Sequence, residues 1–233
     1  MYEERLARLP GALLWTRTDP LVPAAAPTRV LPDGCIDLIW VDGELMVAGP
    51  DTVAQLSPAS PGRHYAGIRF RPGLGPEVFG VPAYELVNRR VPLAELWPAG
   101  RVRRLTGEVS AAHDRGHALE RIAGDALAGR EPDPLTRALA VDLRKGVSVA
   151  DAAGAAGLSE RQLLRRCRQA FGYGPKTLMR IIRFGRALDA ARIGTPYATV
   201  AIENGYADQA HFARDVKALA GVSLRGLLTQ EAG

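Results

Sequence analysis

Arg161, Gln162 and Arg165 sit within about a turn of one another near the start of a helical pattern, clear of the apolar positions Leu163, Leu164 and Cys167. Gln209, Ala210, Ala213 and Arg214 repeat the arrangement about fifty residues later, clear of Phe212 and Val216. The forked donors of arginine match the paired acceptors of guanine, and a glutamine amide matches adenine. Small residues let a helix approach thymine methyl groups. Ser159, Arg168, Lys217 and the helix N-termini are suited to phosphate oxygens. These types in this pattern therefore point to recognition of double-stranded DNA. A helical bundle with a solvated basic surface would account for one such stretch, but two with a long helix between them argue for a built pair of readers.

Other chemistry finds little support. The chain has four histidines, His64, His113, His117 and His211. His113 and His117 are four apart, a spacing that could bind a metal from one helical face. Gly116 weakens that helix, however, and no third ligand stands near. Gly73-Leu74-Gly75 reads as turn chemistry rather than a phosphate loop, and no Gly-x-Ser-x-Gly elbow occurs. Cys35 and Cys167 read as two buried thiols, and Cys35 has no cysteine cluster around it of the kind a methyl-accepting zinc site needs. No catalytic residue, metal or cofactor is expected, and no enzyme.

The elements that must hold the reading residues share one internal form. Val149–Ser159 and Val200–Asp208 each run as a short helix of small residues, a glycine turn, an apolar residue and a capping residue. Small residues let two helices cross closely and the glycine permits a sharp turn, which is the logic of a helix-turn-helix. Ser159, with Gln162 three residues on, predicts a capped helix over Glu160–Phe171, and Asp208 caps another that ends at Ala220. A longer helix is expected over about Lys176–Arg192, and a preceding one over about Leu135–Arg144, stopped at Lys145-Gly146.

The front of the chain has a different texture. Ile36–Val41 and Glu44–Ala48 flank Asp42-Gly43, a hairpin signal, and His64–Phe70 alternates before Pro72-Gly73. Short strands at this spacing predict an antiparallel barrel or sandwich over residues 1–100. Residues 101–134 show helical spacing in Val102, Leu105 and Val109 and again in Leu119 and Ile122, and are expected to form a helical connection and dimer contact. A break is expected at Pro132-Asp133-Pro134. Residues 135–233 complete the chain as the reading domain.

Charge follows the same division. Residues 1–133 carry 15 arginines against 17 acids, a net −2, and residues 134–233 carry 15 basic against 8 acidic residues, a net +7. A polyanion partner is therefore expected for the back half. No apolar run approaches the roughly 18 residues needed to cross a bilayer, and the acidic N-terminus does not read as a signal peptide, so a cytoplasmic location is expected.

Leu158–Leu163, Phe171–Lys176, Arg180–Arg186 and above all Asn204-Gly205-Tyr206-Ala207-Asp208-Gln209-Ala210-His211-Phe212 resemble the arabinose-regulator (AraC/XylS) type of transcription factor. The resemblance covers about residues 135–230. It implies a seven-helix domain whose two reading helices enter successive major grooves on one face of DNA. By it, the base-reading positions are Arg161, Leu164 and Arg165, then Gln209, Ala210, Ala213 and Arg214, while Tyr206, His211 and Phe212 are structural. Cys167 and Val216 replace aromatic residues usual in the family, and Leu224 replaces a frequent proline. Leu31–Leu38, Ala48-Gly49-Pro50 and Gly67–Gly73 resemble the cupin-like sensor domain that accompanies such readers in bacteria, which implies an effector or dimer contact without naming a ligand. Trp40, Arg69 and Phe70 are the pocket candidates.

The expected whole is an α+β chain of two domains, a small antiparallel barrel before an all-helical double helix-turn-helix. The expected partners are double-stranded DNA and a small-molecule effector, with RNA polymerase and a second copy of the chain as further candidates. The rival readings are a basic partner-binding module fused to a non-catalytic barrel, and a cupin-type enzyme.

Overall fold

The computed structural model describes residues 1–21, 27–58, 60–130 and 133–232. Pro132 of the expected break lies outside them. Among the described residues eight strands precede most of the helices: β1 (Tyr2–Leu6), β2 (Ala12–Thr18), β3 (Thr28–Val30), β4 (Ile36–Val41), β5 (Glu44–Ala48), β6 (Gln55–Ser57), β7 (His64–Phe70) and β8 (Arg90–Pro92). Six form an antiparallel sheet in the order β1-β2-β7-β4-β5-β8, and β3 pairs with β6 in a separate ribbon. Asp42 at φ 50° and Gly43 at φ 80° close the β4–β5 hairpin. Positive φ at both positions is what a two-residue turn needs to match the twist of its strands.

Side chains alternate along a strand, so one face of the sheet is Ala66, Ile68 and Phe70, in register with Trp40, Leu38 and Ile36. That face packs on α1 (Gly75–Phe79), α2 (Ala99–Ala111) and α3 (Arg115–Leu127) in a single core running from Ala12 to Leu127. The helical spacing of residues 101–127 is thus spent covering the sheet, through Val102, Leu105, Val109, Leu119 and Ile122.

This alternation corrects two of the three pocket candidates. Phe70 is fully buried, edge-on to Phe79 at 5.7 Å. Trp40 is in the same core, its Nε1 donating to Ser110 Oγ at 3.0 Å and its ring covered by the Arg115 guanidinium at 4.2 Å. Arg69 and Phe70 are neighbours on one strand and cannot line one pocket, so only Arg69 faces away from the core.

The back half is helical: α4 (Pro134–Lys145), α5 (Val149–Ala155), α6 (Glu160–Phe171), α7 (Pro175–Arg192), α8 (Tyr197–Glu203), α9 (Gln209–Ala220) and α10 (Leu224–Ala232). Its apolar residues form two cores. Leu139, Leu143, Ala152, Leu163, Cys167, Phe171, Leu178 and Ile181 make one. Phe184, Leu188, Val200, Phe212, Val216, Leu219, Leu224 and Leu227 contribute to the other. Helix α7 gives its first half to one core and its second half to the other, and is the spine that joins two similar units. At about 1.5 Å per residue its 18 residues span about 27 Å. Cys167 and Val216 hold equivalent, fully buried places in the two units.

Candidate nucleic-acid interface and adjoining cavity

The start of α6 is built by a capping box. Ser159 Oγ accepts from the Gln162 amide, and Gln162 Oε1 accepts from the Ser159 amide at 2.8 Å. Asp208 caps α9, accepting from the His211 amide at 2.6 Å. His211 is itself a brace: its Nδ1 accepts from the Ala207 amide, and its ring meets Tyr206 edge-on at 5.1 Å. Ser159 and Gln162 therefore spend polar atoms on the helix start, where the backbone amides and the positive end of the dipole suit an anion.

Every candidate reading residue is exposed: Ser159, Arg161, Gln162, Leu164, Arg165 and Arg168 in the first unit, and Gln209, Ala210, Ala213, Arg214 and Lys217 in the second. Leu164 is a large apolar side chain left 39% exposed on that surface. Among the described residues, no acid pairs with Arg161, Arg165, Arg168, Arg214 or Lys217.

Other charges in the same helices point inward, which sequence spacing alone does not reveal. Arg166 of α6 pairs with Asp133, which caps α4 and also accepts from Thr136 Oγ1 at 2.7 Å. Against the upward push of burial, these bonds lower the Asp133 carboxyl below its ordinary range. Asp215 of α9 is buried and takes three donors: Arg180 Nε at 2.5 Å, Arg183 Nη2 at 3.4 Å and the Tyr206 hydroxyl at 3.1 Å. Helices α6 and α9 are thus each held to a supporting helix by an arginine–aspartate contact. A buried charge left without its partner costs several kcal/mol, roughly 3–5.

The second face of the sheet opens on a cavity of about 730 Å³. The β3–β6 ribbon closes another side, and Phe184, Gly185, Leu188, Asp189 and Arg192 of α7 line it too. The cavity therefore touches both halves of the chain. Trp15 donates from Nε1 to Asp37 Oδ1 at 2.7 Å, and Arg69 lies on Asp37 at 3.2 Å, Glu4 at 3.4 Å and Asp33 at 3.5 Å. Burial pushes the Asp37 carboxyl up to about 6, with Arg69 pulling it down and Asp33 pushing it further up. Burial likewise raises the Cys35 thiol, which keeps it protonated. Arg90 forks onto Asp51 at 2.6 and 2.9 Å, and Arg17 pairs with Asp19 at 3.0 Å while stacking on Tyr65.

Of the sequence candidates only Arg69 lines this cavity. Trp15, Asp33, Cys35 and Asp37 line it without having been singled out as pocket residues. The alternation of β4 could have placed Asp37 opposite the apolar face, but nothing local ties Trp15 to it. The histidine pair does not share a helix: His113 precedes the Asp114 cap of α3, and His117 follows it. Among the described residues no group of three or more histidines, cysteines or acids is placed to hold a metal. Among those residues no helix is long and apolar enough to cross a membrane.

Residues 152–230 match the family model of a helix-turn-helix domain, and residues 12–92 match a domain of unknown function, DUF6597. No curated protein matches the chain. Among solved structures, a variant of apo ToxT from Vibrio cholerae strain SCE256 is similar at 12% identity and TM-score 0.50, covering 94% of this chain and 97% of that one. ToxT from Vibrio cholerae O395 is similar at 12% identity and TM-score 0.49, covering 94% and 98%. Wild-type ToxT from strain SCE256 bound to an unsaturated fatty acid is similar at 12% identity and TM-score 0.47, covering 96% and 97%. The first of these likenesses supports the two-part fold, an antiparallel sheet domain before a helical one.

Proposed function

Proceeding from a helix-turn-helix domain over residues 152–230, we propose that the chain is a transcriptional regulator of the arabinose-regulator type whose α6 and α9 read two successive major grooves. One observation carries this reading. Two separately cored units on one spine helix present their unpaired arginines and small residues at equivalent exposed positions. Arg161, Leu164 and Arg165 face bases from α6, and Gln209, Ala210, Ala213 and Arg214 from α9. Arg168, Lys217 and the two capped helix starts, with Ser159 and Gln162 at the first, face phosphates. The two units share α7, about 27 Å long, and in this reading they meet successive major grooves, about 34 Å apart, on one face of gently bent DNA.

The cavity is the effector site in this reading, and its ligand-facing wall is Arg69, Trp15 and Asp37 rather than Trp40 or Phe70. Because α7 lines it, an effector there meets the reading domain directly. The solved fatty-acid complex of ToxT is consistent with a small organic effector as a class. The protein works without catalysis, in the cytoplasm. Residues 1–100 serve as the sensor, 135–233 as the reader, and the outer faces of 101–134 as the contact for a second copy, while RNA polymerase is the downstream partner.

The test is selection of binding sites from random duplexes with the full chain, followed by salt titration. A reader shows a steep salt slope and prefers its site by about a thousandfold or more over random DNA. A slope with no preference returns the chain to the basic partner-binding module.

A further inference from the structure

The segment between β5 and β6 touches three things at once. Its residues Gly49 and Asp51, with Gln55 at the start of β6, line the cavity. Pro50 abuts the end of the first reading helix, where a side chain at Gly172 would begin 2.9 Å from Pro50 Cγ and 2.7 Å from Val87 Cγ2. Gly172 is also in the left-handed region at φ 87°, so only glycine closes α6 this way against the sensor. The Ala54 amide donates to Leu219 O at 2.7 Å in the last turn of the second reading helix.

The neighbouring ribbon completes the grip on α9. Gln55, Leu56 and Ser57 pair with Val30, Arg29 and Thr28, and Arg29 Nη1 donates to Ala220 O at 2.7 Å. The last four carbonyls of a helix have no partner within it, and a cation is favoured at that end. In α9 two of these carbonyls are taken by the front domain. The root of the segment is stapled to the sheet, Gly49 N to Arg89 O at 2.9 Å and Thr52 N to Asn88 Oδ1 at 2.8 Å. Its cavity-facing wall and its contacts with both reading helices therefore lie on one continuous stretch of backbone.

We propose that residues 49–57, with Arg29, are a strap through which occupancy of the cavity sets the relative placement of α6 and α9 on DNA. This rests on the cavity being the effector site. Filling the cavity presses on the strap, and the strap shifts the C-terminal ends of the two helices whose N-terminal turns read bases. A ligand that favours one strap position favours one spacing of the readers, which is the differential contact that coupling between two sites requires.

Gly185 on α7 lines the cavity and has open space where a side chain would begin, so Gly185→Phe fills the cavity without a known ligand. The experiment uses the full chain and a duplex selected with it. In the parent background Gly185→Phe changes the Kd for that duplex by about fivefold or more. In the Arg29→Ala background the change falls below about twofold, and hydrogen exchange in the last turn of α9 quickens while that of α4 does not. Ala54→Pro removes the amide donor while fixing φ at that position, and gives the same loss if Arg29→Ala compromises folding, with circular dichroism on both variants as the check. An undiminished change in the released backgrounds overturns the strap and leaves the effector cavity standing. No change from Gly185→Phe in any background overturns the cavity itself.

Discussion

Trp15 and Gly67 are directly opposite in the β2–β7 pairing, and the indole occupies the space where a side chain at Gly67 would begin, 2.2 Å from Cε2. The absence of a side chain on β7 lets the indole lie against the sheet and reach Asp37. Gly67→Ala must therefore displace Trp15 and its hydrogen bond. A cost of about 1–3 kcal/mol is expected, in the range of core overpacking. Thermal melting and the near-ultraviolet circular dichroism of the tryptophans check it, and a native spectrum with an unchanged Tm would contradict the contact.

Arg165 is exposed and free of acid partners among the described residues, unlike Arg166 beside it, which is tied to Asp133. Arg165→Ala is expected to cost roughly 1–3 kcal/mol at the selected duplex and to relax preference at one base pair. Equal weakening on selected and random duplexes would move Arg165 to a phosphate.

Gly205 stands in the turn of the second unit at φ 75°, in open space. The penalty for a side chain there is conformational rather than steric. Gly205→Val is expected to cost at least about 1–2 kcal/mol, because a β-branched residue is strained in the left-handed region. Differential scanning calorimetry reads the loss, and full DNA binding at an unchanged Tm would reject it.

Asp215 gathers Arg180, Arg183 and the Tyr206 hydroxyl beneath α9. Asp215→Ala removes the acceptor shared by Arg180, Arg183 and Tyr206, and because both arginines keep access to water it is expected to loosen the second unit by about 1–3 kcal/mol. Hydrogen exchange over α8 and α9 should rise steeply, while α5 and α6, in the other core, keep their protection. Uniform loss across both units would mean that they are not independently held.

Asp37 titrates near 6 inside the fold, above its ordinary 3.8. Between those values the folded chain holds more protons than the unfolded chain, so this group makes stability fall as pH rises from about 4 to 6. The full difference is of order 3 kcal/mol at about 1.36 kcal/mol per pKa unit. Below pH 4 the contribution is fully present. Urea unfolding across this range should show the decline, and Asp37→Asn should flatten it. A slope that survives the substitution belongs to another group.

The two helix-turn-helix units were legible because their signals are local. Ser159 with Gln162, and Asp208 alone, mark helix starts that the structure places at Glu160 and Gln209. Gly172 and Gly221 mark their ends. The hairpin at Asp42-Gly43 and the strand His64–Phe70 were legible for the same reason. Between β1 and β2 the sequence does carry a turn dipeptide, Pro10-Gly11, but β1 is exposed throughout and shows no alternation, so the pair is not legible from pattern. Helix α10 enters only through the seven helices the resemblance implies, its Leu224 and Leu227 being explained by the core they join.

Partnership across distance was left to tertiary structure. Local pattern says which residues are apolar, but which face of a strand meets a core depends on what is laid against it. Arg69 and Phe70 separated on that ground, one to the cavity and one to the core. The inward turn of Arg166 and Arg183, the meeting of Trp15 with Asp37, and the grip of Arg29 on Ala220 join residues between 22 and 191 positions apart. Composition and spacing carry no record of such pairs, because the free energy that selects them comes from burial and hydrogen bonding realised only once the chain has closed on itself.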